Sequence, residues 1–180
     1  MKGLLVFALL GGALGFRGYR AEAYSPFGCN WGAGKTAFYF TNNIGWQANT
    51  AGARWNSGAA RLRFIQGGSD FSVEALNAGS VPWAGRTHDP GNYDTWNRCS
   101  VGTVVTINSY YGPPNAIEDV LTHEFGHVAG LDDINAASPG CIGGNFYYSA
   151  VMHYSMDRVL GPCAIFDPQT DDINGVNSIY

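Results

Sequence analysis

The chain has 180 residues, a formal net charge of −4 and a hydrophobic content of 46%. This length is sufficient for one domain with its own hydrophobic core. The sequence contains no run of basic residues, which argues against nucleic acid or an anionic membrane surface as a partner.

The first residues have the features of a secretory signal. Lys2 precedes an apolar run from Leu4 to Leu14, and Ala21-Glu22-Ala23 offers small residues at the positions that a signal peptidase recognises. We predict a signal peptide over residues 1–23 and a secreted domain over residues 24–180, with no membrane contact once the signal is removed.

The rest of the chain alternates between strand and helix patterns. Period-two alternation and β-branched residues predict strands, and apolar residues at helical spacing predict helices. The Gly- and Pro-rich stretch between the third and fourth predicted strands is expected to be loop with short strand pieces. The predicted elements are strands at 36–40, 61–66, 70–76 and 103–108, helices at 44–56 and 116–129, a loop at 79–97 and a C-terminal helix at 171–180. This order predicts an α+β fold.

The second predicted helix carries the most informative motif. Residues 123–133 contain H-E-x-x-H-x-x-G-x-x-D, with Asn115 as the expected N-cap and Gly130 as the residue that ends the helix. His123 and His127 lie one helical turn apart and can both bind one Zn²⁺, while Glu124 lies beside the metal as a general base. This spacing predicts a catalytic zinc site.

A catalytic zinc site needs a third protein ligand and an open position for water. Asp133 follows three residues after Gly130, so its carboxylate can return to the metal. Asp132 is one residue off this spacing and is expected to point elsewhere. No glutamate follows Glu124, which excludes a downstream glutamate ligand. A more distant aspartate, as in deuterolysin-like enzymes, remains an alternative through Asp157, Asp167 or Asp171.

The four cysteines are Cys29, Cys99, Cys141 and Cys163. None of them forms C-x-x-C, so a thiolate zinc site is not indicated. In a secreted chain, two disulfides are expected, and three pairings are possible. We favour Cys29–Cys99 together with Cys141–Cys163.

The long motif resembles that of the metzincin metallopeptidases, in particular matrixin-like and snapalysin-like enzymes, the latter also with Asp in the third ligand position. Ser149-Ala150-Val151-Met152-His153-Tyr154 is similar to the Met-turn of that family. The resemblance implies that Met152 lies beneath the metal and that Tyr154 donates a hydrogen bond to the oxyanion.

The resemblance also implies a metzincin-like catalytic domain. Its twisted mixed β-sheet and active-site helix would form an N-terminal lobe, and a loop-rich C-terminal lobe would end in a helix. Structural zinc and calcium sites are not evident, although calcium remains possible, and His88-Asp89 is expected in a surface loop.

The sequence thus predicts a secreted zinc endopeptidase that hydrolyses peptide bonds through a zinc-bound water with Glu124 as the base. We expect a monomer whose partner is an extended protein or peptide substrate, which pairs with the strand Thr103–Asn108 at the edge of the cleft. The alternative is a noncatalytic secreted zinc-binding module of the same fold.

Overall fold

The computed structural model of the chain describes residues 31–32, 36–91, 99–112, 114–134, 150–152 and 165–180. Within these residues, five strands and three α-helices confirm the predicted α+β class. In chain order the elements are β1 (Thr36–Thr41), α1 (Gly45–Ser57), β2 (Arg63–Gln66), β3 (Phe71–Leu76), β4 (Gly85–His88), β5 (Thr103–Asn108), a 3-10 turn (Ser109–Tyr111), α2 (Pro114–Val128) and α3 (Thr170–Ile179).

The strands form one mixed sheet in the order β2-β1-β3-β5-β4. The neighbouring pairs among β2, β1, β3 and β5 are parallel, and β4 runs antiparallel to β5. The prediction of a mixed sheet is therefore confirmed. The prediction that Thr103–Asn108 forms an edge is wrong, because this strand pairs with β3 on one side and β4 on the other.

Strand β4 is the edge that the sequence did not reveal. It has only four residues and lies within the Gly- and Pro-rich stretch that was expected to be mostly loop. Its pairing with β5 joins residues that are distant in sequence, such as Thr87 with Val105. A strand this short carries too few residues for alternation to distinguish it from a loop.

The helices α1 and α2 pack together over one face of the sheet. In β1, Ala37 and Tyr39 are buried and Phe38 and Phe40 are exposed, as expected for a strand with one face in the core. Aromatic rings from the sheet and from α2 meet in this core, where Phe125 contacts the rings of Tyr39, Phe64 and Phe71. The C-terminal part of α2 is thereby fixed against the sheet.

Helix boundaries agree with the predictions to within about two residues at most ends. Helix α2 begins at Pro114, so the expected cap residue Asn115 falls one position inside the helix. Proline suits the first helical position, because its missing N–H would have no partner there. None of the helices in the described ranges is long and apolar enough to cross a membrane.

Several predictions concern residues outside those described. They include the signal peptide over residues 1–23, the cysteines Cys29, Cys141 and Cys163, and Tyr154. Cys99 is disulfide-bonded, and its partner likewise lies outside the described residues.

Candidate metal centre

The two histidines of the motif lie side by side on the buried face of α2. His123 is 7% exposed and His127 is 2% exposed. Their ring centroids are 4.7 Å apart and the rings are nearly perpendicular, at 87°. This is the arrangement expected for residues four positions apart on one helix.

Backbone carbonyl groups fix the orientation of both rings. Nδ1 of His123 donates to the carbonyl oxygen of Val151 at 2.9 Å, and Nδ1 of His127 donates to that of Leu131 at 2.8 Å. A carbonyl oxygen can only accept, so each Nδ1 carries a hydrogen. In the neutral imidazole, Nε2 then presents a lone pair, which is the state that binds a metal.

The end of α2 brings the second carboxylate of the motif towards these nitrogens. Gly130 has φ of +92°, a left-handed conformation that strongly favours glycine. The amide of Leu131 donates to the carbonyl of Gly126 and that of Gly130 donates to His127, which is a Schellman motif. The chain therefore reverses at Gly130, as predicted.

After this reversal, Asp133 lies against both imidazoles. Its Oδ1 is 3.1 Å from Nε2 of His123 and 3.5 Å from Nε2 of His127. This oxygen is buried and has no hydrogen-bond partner within the described part of the chain. Burial raises the pKa of Asp133, but the two imidazoles beside the carboxylate outweigh burial and hold this pKa below its ordinary value.

These distances fit a tetrahedral metal. Ligand atoms that lie about 2.1 Å from a tetrahedral ion are separated by roughly 3.4 Å, close to both separations between Asp133 and the imidazole nitrogens. His123, Glu124 and His127 also form a cluster that could hold a metal ion, with ligand atoms all within 4.8 Å of one another. The chain therefore contains a candidate metal centre with two imidazoles and two nearby carboxylates.

The two carboxylates have different surroundings. Oε2 of Glu124 accepts a hydrogen bond of 2.8 Å from the hydroxyl of Thr87 in β4. Oδ1 of Asp133, by contrast, faces the two nitrogens with no hydrogen-bond donor of its own. The two carboxylates therefore differ in what contacts them: a hydroxyl donor for Glu124, and the two imidazoles for Asp133. Asp132 points elsewhere, as expected, since its Oδ1 accepts from the amide of Asp133 at 2.7 Å.

Met152 packs against the backbone of α2 between the two histidines. The side chain is fully buried, and a Cβ added at Gly126 would lie 2.1 Å from its sulfur. The carbonyl of Met152 also accepts from the amide of Ile134 at 2.9 Å. Met152 therefore supports α2 between the positions of the two histidines, and Gly126, which the sequence did not single out, leaves room for it.

Asp172 of α3 is another residue that the sequence did not single out. It is fully buried and accepts hydrogen bonds from the amides of Val151, at 2.8 Å, and Met152, at 3.3 Å. The carbonyl of Val151 in turn accepts from His123. Asp172 thus holds the backbone that orients the first histidine, and no local motif signals a contact that spans about 20 residues.

The prediction of a surface loop for His88-Asp89 is wrong for His88, which is 2% exposed at the end of β4 with Nε2 2.8 Å from the hydroxyl of Thr106. Among the distant aspartates, Asp167 is 69% exposed and pairs with Arg54 at 3.5 Å. Asp157 lies outside the described residues.

Comparisons with known proteins add information on the fold. No protein-family model and no curated protein matches the chain. Among solved structures, a chain of the GM1-bound form of the ECX AB5 holotoxin matches with a TM-score of 0.52 and 14% identity, covering 81% of this chain and 80% of that chain. At this identity the match shows a shared fold alone. Fold and site together define an α+β protein with a candidate metal centre.

Proposed function

We propose that the chain is a secreted zinc-dependent endopeptidase with a metzincin-like catalytic domain. The observation that carries the proposal is Oδ1 of Asp133, which is buried, has no hydrogen-bond partner among the described residues and faces Nε2 of both His123 and His127. Two imidazoles and one carboxylate are a ligand set that suits Zn²⁺ and leaves one position open for catalysis.

Glu124 supplies the acid–base chemistry in this proposal. A bound zinc ion would acidify a water molecule and polarise the scissile carbonyl group. The Glu124 carboxylate accepts a proton as the water oxygen bonds to the carbonyl carbon. It then delivers that proton to the leaving nitrogen as the C–N bond breaks. Its burial, at 4% exposure, strengthens these interactions by excluding solvent.

The position of β4 at the edge of the described sheet suggests where a substrate would bind. Among the described strands, β4 lies at the edge of the sheet, and it contacts α2 through Thr87 and Glu124. An extended peptide that adds to β4 as a further strand would bring a backbone carbonyl towards Glu124. We therefore infer an extended protein or peptide substrate, bound by a monomer, with β4 in the role that the sequence suggested for β5.

The resemblance to metzincins supports the proposal at two further positions. Met152 lies under α2 as a Met-turn methionine would, and Gly130 reverses the chain before the third ligand. The role of Tyr154 as an oxyanion donor and the secretion of the chain remain parts of the proposal that rest on the sequence.

Zinc analysis and proteolysis of a Glu124→Gln variant test this function. We expect one zinc per chain in both proteins, casein cleavage by the wild type, and a loss of at least about 100-fold in kcat for the variant, the usual range for a general base. Glu118→Gln is the matched control, because this residue is on the same helix but pairs with Arg54. An active Glu124→Gln enzyme, or a wild type without metal, would contradict the proposal. Zinc binding without cleavage would instead support the noncatalytic module.

A further inference from the structure

The edge strand β4 has two residues that face α2. Because successive strand residues point to opposite faces, Gly85 and Thr87 share one face. Both positions lie against the side chain of Glu124. The hydroxyl of Thr87 is 2.8 Å from Oε2 of Glu124, and a Cβ added at Gly85 would lie 2.7 Å from Oε1. The carboxylate thus lies against both inward positions of this strand.

Thr87 offers its only hydroxyl hydrogen to Glu124. The hydroxyl of Thr87 is 2.8 Å from Oε2 of Glu124 but 3.3 Å from the backbone oxygen of Glu124. Thr87 is 1% exposed, and its pairing with Val105 fixes the strand backbone. A β-branched side chain has few rotamers to choose from, so the direction of this hydroxyl is strongly restricted.

Gly85 provides space for the same carboxylate. An added Cβ would lie 2.9 Å from Cγ of Glu124 and 2.6 Å from a methyl group of Val120, both closer than side-chain carbons approach. Gly85 does not have a positive φ, so space rather than backbone conformation calls for glycine here. The Glu124 side chain occupies the volume that another residue at position 85 would fill.

We propose that Thr87 is a positioning residue for the general base, and that Gly85 makes room for the base in the position Thr87 selects. The inference rests on the proposed function of Glu124. With Oε2 held by the strand, the carboxylate keeps one orientation towards the metal centre, and the strand that receives the substrate also orients the base. Fixed orientation is worth a large factor in rate, because a displacement of about 1 Å can cost roughly 100-fold.

Three variants test this role by steady-state kinetics on a peptide substrate. Thr87→Val keeps the side-chain shape and removes the hydroxyl, and we expect kcat to fall on the order of tenfold, with KM within about twofold of wild type. Thr87→Ser restores the hydroxyl and is expected to recover most of the rate. Thr103→Val is the matched control, since Thr103 is a fully buried strand threonine whose hydroxyl donates to the Ser100 carbonyl away from the site. It should leave kcat unchanged.

A double-variant cycle shows whether Thr87 acts through Glu124. In a Glu124→Gln background, Thr87→Val should change the residual rate by less than about twofold, because the group that it orients is already lost. A tenfold loss in that background, or a Thr87→Ser enzyme as slow as Thr87→Val, would overturn the proposal.

A crystal structure of the zinc-loaded Thr87→Val protein gives a readout that does not depend on activity. We expect a changed Glu124 rotamer with His123, His127 and the zinc content unaltered. An unchanged rotamer would overturn the positioning role even if the wild type cleaves no peptide. Conversely, a moved Glu124 in a protein without peptidase activity would keep the positioning role and reject the proposed function.

Discussion

At the scale of single residues, the candidate metal centre is defined by one carboxylate oxygen that has no hydrogen-bond donor among the described residues. A buried carboxylate oxygen without a hydrogen bond costs on the order of 1–3 kcal/mol, so native proteins rarely leave one unsatisfied. Oδ1 of Asp133 lies against Nε2 of both His123 and His127. A cation bound here would satisfy this oxygen, which is why the zinc proposal rests on Asp133 more than on the motif.

We predict that Asp133→Asn weakens zinc binding by at least about 100-fold, because the variant loses the anionic ligand. Asp132→Asn is the matched control, because it removes the same charge one residue away. The Asp132 carboxylate accepts a hydrogen bond from the amide of Asp133, so this variant should bind zinc as the wild type does. Competition with a chromophoric chelator would measure both affinities. Equal affinity of Asp133→Asn and the wild type would exclude Asp133 as a ligand.

At the same scale, the sequence predicted the residues that local geometry controls. His123, Glu124 and His127 follow from helical spacing, and Asp133 follows from the turn at Gly130. Thr87 and Asp172 reach the site from elements that are distant in sequence. Their contacts depend on how the sheet and α3 pack against α2, and no spacing in a single sequence encodes that packing.

At the scale of elements, the difference between local patterns and long-range packing explains which parts of the fold were predicted. Strands β1 and β3 and both long helices have enough residues for their periodicity to be clear. Strand β4 does not, and its antiparallel addition beyond β5 moved the sheet edge from the predicted position. The order of strands in a sheet is set by long-range pairing, which a one-dimensional pattern does not contain.

The contact between α2 and Met152 gives a prediction at this scale. Alanine is favoured over glycine in a helix interior by roughly 1 kcal/mol, so propensity alone predicts that Gly126→Ala stabilises the protein. The added Cβ would instead meet the Met152 sulfur at 2.1 Å, and overpacking of this kind costs about 1–3 kcal/mol. We therefore expect net destabilisation of about 1 kcal/mol, measured by denaturant unfolding.

A Met152→Ala background tests the cause of that effect. Once the sulfur is removed, Gly126→Ala should become neutral or stabilising, with Trp55 as the remaining close neighbour at 3.1 Å. A coupling free energy of about 1 kcal/mol or more between the two sites is expected. Additive effects of the two substitutions would show that Met152 does not support α2 at this position.

At the scale of the whole molecule, the candidate metal centre joins elements that are distant from one another along the described chain. Asp172 of α3 holds the amides of Val151 and Met152, the carbonyl of Val151 holds His123, and Thr87 of β4 holds Glu124. Metal binding at His123, His127 and Asp133 would therefore stabilise helix, turn and edge strand together. A ligand that binds only the folded state adds its free energy to global stability.

Metal removal should accordingly lower the melting temperature of the whole domain. With free zinc at about 1,000 times its dissociation constant, binding contributes about 4 kcal/mol to stability. For a chain of this size, each kcal/mol corresponds to roughly 2–4 °C, so chelation is expected to lower Tm by about 8–16 °C, measured by calorimetry. Asp133→Asn controls for effects of the chelator itself, because zinc contributes little stability to a variant that binds it weakly. An equal shift in this variant and the wild type would mean that the stabilising ion binds elsewhere, since the Asp133 oxygen would then play no part in holding it.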